Sequence, residues 1–383
     1  MNQKKIAYPR KLEIPVDDYP KTLPAGGIDY FKKRLDERLE FSAFAAANYS
    51  KFLSWQAEDN PFASIDFLPV SGNISPISRC NFKCTMCAVS DFANGKRCED
   101  MSLDLFIRRL DDLAGLVQVS LVGLSELFLL THTLEPMLRA CKERKIWTHI
   151  VTNGSLLHQH NWIERLVEID VDEVTVSVDG VTKTTFESIR NKSNFERVIA
   201  NATELNKIFD ARGVTPKRTK MAVVLQSLNF HELFDFVPFA KHLGFKSIAF
   251  SIEAFDWGSE VWRDRNSQNV RGITKNDVAK LVEQAKSLDI SIGFVDVVQR
   301  YVAEPKASSL CSWPFSKICI SSDDRVVPCC HISNPDHFEI GDGLRETFSA
   351  KDAWFSDAYM DFRSAHANGN IPDACSSCYK SKQ

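Results

Sequence analysis

Apolar and polar positions between about residues 66 and 300 follow a repeating pattern, in which short apolar runs alternate with longer amphipathic stretches. The short runs predict strands, which are IDFLPVSG, VQVSLVG, WTHIVT, DEVTVSVDG, KMAVVLQ, KSIAFS and SIGFVDV. The stretches between them, such as LDLFIRRLDDLAG and NFERVIANATELNKIF, have the spacing of amphipathic helices. Repeated strand–helix units predict an α/β fold with a parallel sheet, either open or curled into a barrel.

Two segments flank the predicted sheet. Residues 29 to 57 are helical in pattern and predict an N-terminal extension. Beyond about residue 301 the alternation stops, and the tail is rich in cysteine, aspartate and short turns. Such a tail buries too little apolar surface to fold well alone and would gain stability from a bound metal. We therefore predict a helical extension over 1–65, the α/β domain over 66–300 and a cysteine-rich domain over 301–383.

Composition narrows the class of protein. Of the 383 residues, 44% are hydrophobic and 25% are charged, as in a soluble globular protein, and the net charge of -3 offers no basic field for nucleic acid. The N-terminal segment MNQKKIAYPRKLEIP is polar and contains proline, unlike a signal peptide. The most apolar run, VSLVGLSELFLL, is too short for a membrane span and contains Glu126. These features predict a cytoplasmic protein that binds neither nucleic acid nor membrane.

The eleven cysteines are clustered. Cys80, Cys84 and Cys87 lie within the segment RCNFKCTMCAVS, and six more lie between residues 311 and 378. Because disulfides are unexpected in the cytoplasm, grouped cysteines there indicate metal or redox chemistry. The alternative for the first group is a buried helical stripe, since its spacing is i, i+4, i+7. The motif nevertheless follows a predicted strand directly, where parallel α/β folds place their active sites.

Polar residues also follow the other predicted strands. They are Gly123 to Glu126, Thr152 to Ser155, Ser177 to Gly180, Gln226, and Ser251 with Glu253. Since the carboxyl ends of parallel strands lie at one edge of the sheet, these residues should share one face with the cysteine loop.

Three thiols without a fourth suggest a specific chemistry. The four irons of a cubane [4Fe-4S] cluster usually take four thiolates. Three thiolates leave one iron open to a chelating substrate, as a catalytic zinc site keeps one position open.

On these residues the sequence resembles the radical S-adenosylmethionine (radical SAM) superfamily. Its signature, C-x-x-x-C-x-aromatic/apolar-C, follows the first strand of a partial (β/α)6 barrel and matches Cys80, Cys84 and Cys87. The resemblance implies that these cysteines hold a [4Fe-4S] cluster whose open iron binds S-adenosylmethionine (SAM). Reductive cleavage of SAM would give a 5'-deoxyadenosyl radical, which takes hydrogen from the substrate. The protein's task would be to hold the cofactor and aim the radical.

The resemblance also implies cofactor contacts along the barrel. GLSEL is similar to the family's G-x-G-E-P segment, with Ser125 in place of glycine and Leu127 in place of proline, and its Glu126 would hold the methionyl amino group. The implied cofactor-binding residues are Met86 at the adenine, Gly123, Ser125, Glu126, Asn153, Ser177 at the ribose, Asp179, and Arg190 near the carboxylate. Taken alone, Glu126 is also consistent with a helix first-turn charge, Ser177 with a strand-end hydroxyl and Arg190 with a solvated side chain.

The C-terminal cysteines form a second set of thiolates. Alone, they are also consistent with a redox-active C-x-x-C pair or a four-cysteine zinc site. The tail, from CSWPFSKICISSDDRVVPCC to DACSSC, resembles the auxiliary-cluster extension called SPASM, or its shorter form, twitch. The resemblance implies one auxiliary [4Fe-4S] cluster held by Cys311, Cys329, Cys375 and Cys378. Cys329 is preferred to Cys330 because it follows Pro328.

The reaction is predicted only by family analogy. We expect hydrogen abstraction from a hydroxylated small molecule (a sugar, aminocyclitol or nucleotide-like compound), giving dehydrogenation, epimerisation or dehydration, with flavodoxin or ferredoxin as a low-potential electron donor. Candidate hydrogen donors or acid/base groups are Cys319, Cys330, Glu253, Asp256, Arg300 and His331. Two alternatives remain: modification of a ribosomal peptide, and a zinc-stapled binding protein that is not an enzyme.

Overall fold

The computed structural model describes residues 20, 23–57, 65–92, 94–251, 260–266, 273–295, 300–301, 311–341 and 349–380. Within these residues it is a mixed α/β protein built on one large sheet.

A nine-stranded sheet forms the centre of the fold, with the strand order β12-β11-β1-β3-β4-β5-β7-β8-β9. Its strands are β1 (Ser71–Ile74), β3 (Gln118–Leu121), β4 (Trp147–Thr152), β5 (Glu173–Ser177), β7 (Thr219–Val224), β8 (Ser247–Ser251), β9 (Ser291–Val295), β11 (Lys317–Ile320) and β12 (Val326–Val327). All neighbours pair in parallel except β11 and β12. Two short ladders join β2 (Lys83–Cys84) to β6 (Arg190–Asn191) and β10 (Arg300–Tyr301) to β13 (Tyr379–Lys380). The predicted α/β fold with a parallel sheet is confirmed.

Helices connect the parallel strands from β1 to β9, as the amphipathic stretches predicted, and further helices precede β1 or follow β9. In chain order the helices are α1 (Gly27–Phe41), α2 (Ala43–Gln56), α3 (Leu103–Asp112), α4 (Leu134–Glu143), α5 (Trp162–Ile169), α6 (Lys183–Ile189), α7 (Phe195–Ala211), α8 (Phe236–His242), α9 (Glu260–Asn266), α10 (Lys275–Ser287), α11 (Trp313–Ser316), α12 (Ala350–Trp354) and α13 (Asp357–Ala367). Several begin at a side-chain cap: Ser102 before α3 accepts from the Leu105 amide, and Thr274 before α10 forms a capping box.

The first strand begins later than its apolar run predicted. IDFLPVSG placed it at residues 65–72, whereas β1 spans Ser71–Ile74. The amide and carbonyl of Leu68 bond to the side chain of Asn48, at 2.8 and 3.0 Å, instead of to a neighbouring strand. Pro69 also lacks an amide hydrogen for a ladder bond.

The N-terminal helices lie against the amino ends of the sheet strands. Arg38 of α1 donates to the carbonyls of Leu116, Ala114 and Arg144, which precede β3 or β4. Arg34 forms a buried ion pair with Asp172, the residue before β5, at 2.7 Å. The extension therefore covers the end of the sheet opposite to the carboxyl ends of the strands.

The C-terminal region continues the same sheet. β11 pairs in parallel with β1, with Cys319 opposite Asn73. Asp324 in the β11–β12 turn has a left-handed φ of 62° and accepts from the Nε of buried Arg109 in α3 at 2.8 Å. The β11–β1 ladder and the Arg109–Asp324 hydrogen bond thus join the C-terminal region to the central sheet. The predicted domain boundaries at residues 65 and 300 stay predictions.

Candidate active site

The cysteine loop follows β1 and is held by a short ladder. In it β2 pairs antiparallel with β6, Cys84 opposite Arg190, and the Thr85 amide donates to the Ile189 carbonyl at 2.9 Å. The helical-stripe interpretation of Cys80, Cys84 and Cys87 is therefore wrong, because Cys84 lies in an extended segment and Cys80 lies before it outside any helix. The spacing of the three cysteines is compatible with a helix, but the pairing of β2 with β6 makes the loop extended at Cys84.

The three thiols lie close enough to affect one another electrostatically, since Cys84 acts on both Cys80 and Cys87. Cys84 is only 6% exposed, and the other two are half-buried. Burial, with a smaller contribution from Glu126, raises the pKa of the Cys80 thiol to about 12. In the described part of the chain no three His, Cys, Asp or Glu side chains converge on one metal ion. Three thiolates that each bind a different iron of a cluster need not converge in that way.

Arg190 lies beside the three thiols. Its Nη2 pairs with the buried carboxylate of Asp179 at 2.7 Å, and Asp179 also accepts from the Val224 amide at 2.7 Å. Burial disfavours the charged guanidinium, but Asp179 and Cys84 hold the pKa of Arg190 above its ordinary value. The Arg190 Nε is buried and has no hydrogen-bond partner among the described residues. A buried cationic donor next to three thiols fits the binding of an anionic cluster and of a cofactor carboxylate.

Glu126 lies in a fully buried hydrogen-bond network at the ends of β3 and β4. Its carboxylate accepts from the Thr152 hydroxyl at 2.7 Å, the Asn153 amide at 2.7 Å and the Phe128 amide at 3.2 Å. Burial raises the pKa of Glu126, while the Asn153 and Thr152 hydrogen bonds oppose that rise. The Asn153 side chain donates to Asn81 at 2.9 Å and to the Cys80 sulfur at 3.7 Å. The network therefore joins the predicted residues Glu126 and Asn153 to the cysteine loop.

Gly123 lies at the end of β3, where the chain passes very close to Ser75. A Cβ atom at this position would lie 2.0 Å from the Ser75 Oγ and 2.7 Å from its Cβ. Ser125 is half-buried in the same turn, and its amide donates to the Gly123 carbonyl at 3.0 Å. The glycine is therefore required by the packing of two loops at the site.

We expect Gly123→Ala to destabilise the protein by about 1–3 kcal/mol, because an added methyl group overpacks this contact. Urea unfolding measures the change. Gly72→Ala is the matched control, since its Cβ would meet Leu116 at an ordinary 3.4 Å. Adding Ser75→Gly to Gly123→Ala should recover most of the loss. Equal losses in the two alanine variants would contradict the close contact.

Two residues of α9 contact the cysteine loop and were missed by the sequence analysis. The indole of Trp262, 1% exposed, donates to the Met86 carbonyl at 2.7 Å. Arg265 pairs with Asp91 and donates to the Cys87 carbonyl at 3.5 Å. Met86 itself is 8% exposed, and Ser177 is half-buried at the end of β5. No motif surrounds Trp262 in the sequence, so its contact with Met86 is visible only in the fold.

The C-terminal cysteines form a second thiol group around Cys329. The charges of Cys330, Cys319, Cys311 and Cys375 all act on the Cys329 thiol, whose pKa is raised mainly by burial. Cys319, on β11, is 1% exposed and belongs to this group. The side chain of Cys378 lies outside the described residues.

The predicted hydrogen donors and acid/base groups lie partly near the second thiol group and partly outside the described residues. His331 lies near the same thiol group, with its ring centroid 5.8 Å from that of Trp313, and burial lowers its pKa to about 4. Glu253, Asp256 and the side chain of Arg300 lie outside the described residues. The structure therefore places Cys319, Cys330 and His331 with the second thiol group, and their catalytic roles stay predictions.

Models of two known protein families match the two segments of the chain that contain the cysteine groups. Residues 74–237 match the radical SAM superfamily, and residues 311–379 match SPASM, an iron-sulfur cluster-binding domain. The chain contains a radical SAM domain and a SPASM domain, as its cysteine motifs predicted. These domains imply a [4Fe-4S] cluster with SAM in the first and an auxiliary iron–sulfur cluster in the second.

Several solved structures share the fold. SuiB from Streptococcus suis bound to S-adenosylmethionine is similar with 17% identity and a TM-score of 0.60, over 78% of this chain and 68% of that chain. SuiB bound to the precursor peptide SuiA has 16% identity and a TM-score of 0.61, over 83% and 70%. The structure of anSMEcpe with bound AdoMet has 18% identity and a TM-score of 0.56, over 78% and 84%. At these identities the likeness concerns the fold alone. No curated protein matches the chain significantly.

Among the described helices, none combines the length and the apolar character that a membrane span requires.

Proposed function

We propose that this protein is an enzyme that cleaves SAM reductively and uses the resulting radical to take hydrogen from a hydroxylated small molecule. The observation that carries the proposal is the β2–β6 ladder, which places Cys84 opposite Arg190 in a site that also contains Cys80 and Cys87. A cluster bound there would supply the electron that splits SAM into methionine and a 5'-deoxyadenosyl radical.

The chain's own residues would bind and orient the cofactor. Cys80, Cys84 and Cys87 are the proposed cluster ligands. Arg190, held in place by Asp179, would donate to the cofactor carboxylate, for which its unpartnered Nε supplies a hydrogen. The other proposed cofactor contacts are Met86 at the adenine, Ser177 at the ribose, and Gly123, Ser125, Glu126 and Asn153 near the amino group.

For the auxiliary cluster we propose Cys311, Cys329, Cys375 and Cys378 as ligands. The thiols of Cys311 and Cys375 act on Cys329 electrostatically, as do those of Cys330 and Cys319, so the choice among them follows the family resemblance. A fully ligated cluster has no open iron, so it would transfer electrons and would not bind the substrate. Cys319 and Cys330 would remain as thiols able to return a hydrogen atom.

The location of the N-terminal helices supports a small substrate. They lie at the amino ends of the strands, bonded to residues such as Leu116 and Asp172, and the proposed cofactor site lies at the carboxyl ends. This segment is therefore in the wrong place to guide a peptide into the site. Peptide modification is the second candidate, because the likeness to SuiB includes the form bound to the peptide SuiA.

The proposed reaction begins at a carbon that carries a hydroxyl or amine. Loss of one proton and one electron from the substrate radical, with the electron passing to the auxiliary cluster, would give a ketone. Return of a hydrogen atom from a thiol to the opposite face would give an epimer, and one electron from the donor and one proton would restore the thiol. Loss of water from a diol radical, followed by return of a hydrogen atom, would give a dehydrated product. We propose flavodoxin or ferredoxin as the electron donor and the cytoplasm as the compartment.

We expect deuterium to move from the correct substrate into 5'-deoxyadenosine. The anaerobically reduced protein is incubated with SAM and a panel of C-deuterated sugars, aminocyclitols and nucleotide-like compounds, and mass spectrometry follows the label. Position-specific labels then identify the carbon that is attacked. Transfer from a deuterated peptide, with none from the small molecules, would replace the first candidate by the second.

A further inference from the structure

Arg363, on α13, is a buried cation that packs on Tyr359, a neighbour of the second thiol group. Its side chain is 4% exposed. The Nε donates to the Pro314 carbonyl at 2.8 Å, and the Nη1 donates to the Trp354 carbonyl at 2.7 Å. The guanidinium also lies over two rings, 4.0 Å from the centre of Trp354 and 3.9 Å from that of Tyr359. Neutral groups thus surround the positive charge.

The charge of Arg363 has no acidic partner in the described residues. Other buried arginines pair with carboxylates, namely Arg34, Arg109, Arg190 and Arg218. Arg38 donates from all three nitrogens to carbonyls, whereas the Nη2 of Arg363 is buried without a hydrogen-bond partner in the part of the chain described. Burial lowers the pKa of Arg363 to about 10, so it remains charged at neutral pH. An uncompensated buried charge costs several kcal/mol, which an anion close by would offset.

Arg363 and the second thiol group have a common neighbour, Tyr359. Lys317 is the cation that acts directly on the Cys319 thiol. Pro314, which accepts from Arg363, lies in the segment between Cys311 and Cys319. The Tyr359 hydroxyl donates to the Lys317 carbonyl, two residues before Cys319, at 3.4 Å. The charges of Arg363, Cys319 and Cys329 all act on this hydroxyl. Arg363 and the thiols therefore surround the same tyrosine.

We propose that Arg363 provides the fixed positive charge that raises the reduction potential of the auxiliary cluster. A cubane with four thiolates is an anion and gains one further negative charge on reduction, so a buried cation nearby favours its reduced form. The cluster would then accept an electron from a substrate radical more readily. The inference rests on the auxiliary cluster of the proposed function but not on its substrate.

An EPR redox titration of the anaerobically purified holoprotein, without substrate, tests the proposal. The auxiliary cluster is identified as the signal that added SAM does not change. We expect Arg363→Gln to shift the reduction equilibrium at least tenfold towards the oxidised cluster, about 59 mV lower in potential for one electron. Arg363→Lys, which keeps the charge, should move the potential less. Arg139→Gln removes a surface charge whose side chain is 47% exposed and should not move it.

A variant that loses the auxiliary cluster has no potential to measure, so its iron content is measured instead. If Arg363→Gln loses the auxiliary iron and Arg363→Lys keeps it, the charge itself is required and the proposal is supported. If both variants lose the iron, the fork of hydrogen bonds to Pro314 and Trp354 matters instead, and the proposal is wrong. An unchanged potential in a fully loaded Arg363→Gln protein would also overturn it. The titration uses no substrate and measures no deuterium transfer. Its result therefore does not depend on whether the proposed substrate class is correct.

Discussion

Alanine at Cys84 should abolish the release of 5'-deoxyadenosine from SAM. Cys84 is 6% exposed, and its backbone lies in the ladder opposite Arg190, so a neighbouring thiol is poorly placed to replace it. The loss of one of three ligands should release the first cluster and lower the iron content from about eight to about four per chain. Iron analysis and chromatography of the reduced reaction measure both effects.

Cys141→Ala is the matched control for this prediction. Cys141 is a fully buried thiol on α4, outside both cysteine groups. This variant should keep about eight irons and full release of 5'-deoxyadenosine, with only a modest loss of stability. A wild-type protein that takes up zinc and no iron, when iron and sulfide are supplied, would exclude the radical reaction altogether.

Methionine at Arg190 should both destabilise the protein and weaken SAM binding. Removing the guanidinium leaves the carboxylate of Asp179, 0% exposed, without its partner at 2.7 Å. Breaking a buried ion pair from one side costs about 3–5 kcal/mol. Urea unfolding measures the stability, and equilibrium dialysis with labelled SAM measures the affinity.

A double variant separates these two effects. Adding Asp179→Asn to Arg190→Met removes the uncompensated charge and keeps an oxygen that can accept from the Val224 amide. Most of the stability should return, while SAM binding should stay weak, because the donor for the carboxylate is still missing. Recovery of SAM binding together with stability would show that Arg190 has only a structural role.

The strands and the first cysteine group were predictable because their signals are local. Seven apolar runs predicted the seven parallel strands from β1 to β9 that carry the barrel, and only the first was displaced, since Asn48 takes the hydrogen bonds of Leu68. The C-x-x-x-C-x-x-C motif and Glu126 were identified from short segments and a family resemblance. The structure adds that Glu126 is bonded to Thr152 and Asn153.

Contacts between distant segments were not predictable in this way. The sequence contains no signal that Trp262 donates to the Met86 carbonyl 176 residues earlier. Nor does it show that β11 pairs with β1, or that the thiols of Cys319 and Cys329 act on the hydroxyl of Tyr359 beside Arg363.

By itself, the sequence determined the alternation of strands and helices, the spacing of the thiols and therefore the class of chemistry, because these depend on neighbours along the chain. Only the tertiary structure decided that Arg190 adjoins the thiols with an unpartnered Nε, and that Arg363 carries a buried charge without a carboxylate in the described residues. The physical reason is that burial and charge compensation depend on which segments pack together, and one-dimensional spacing does not specify that packing.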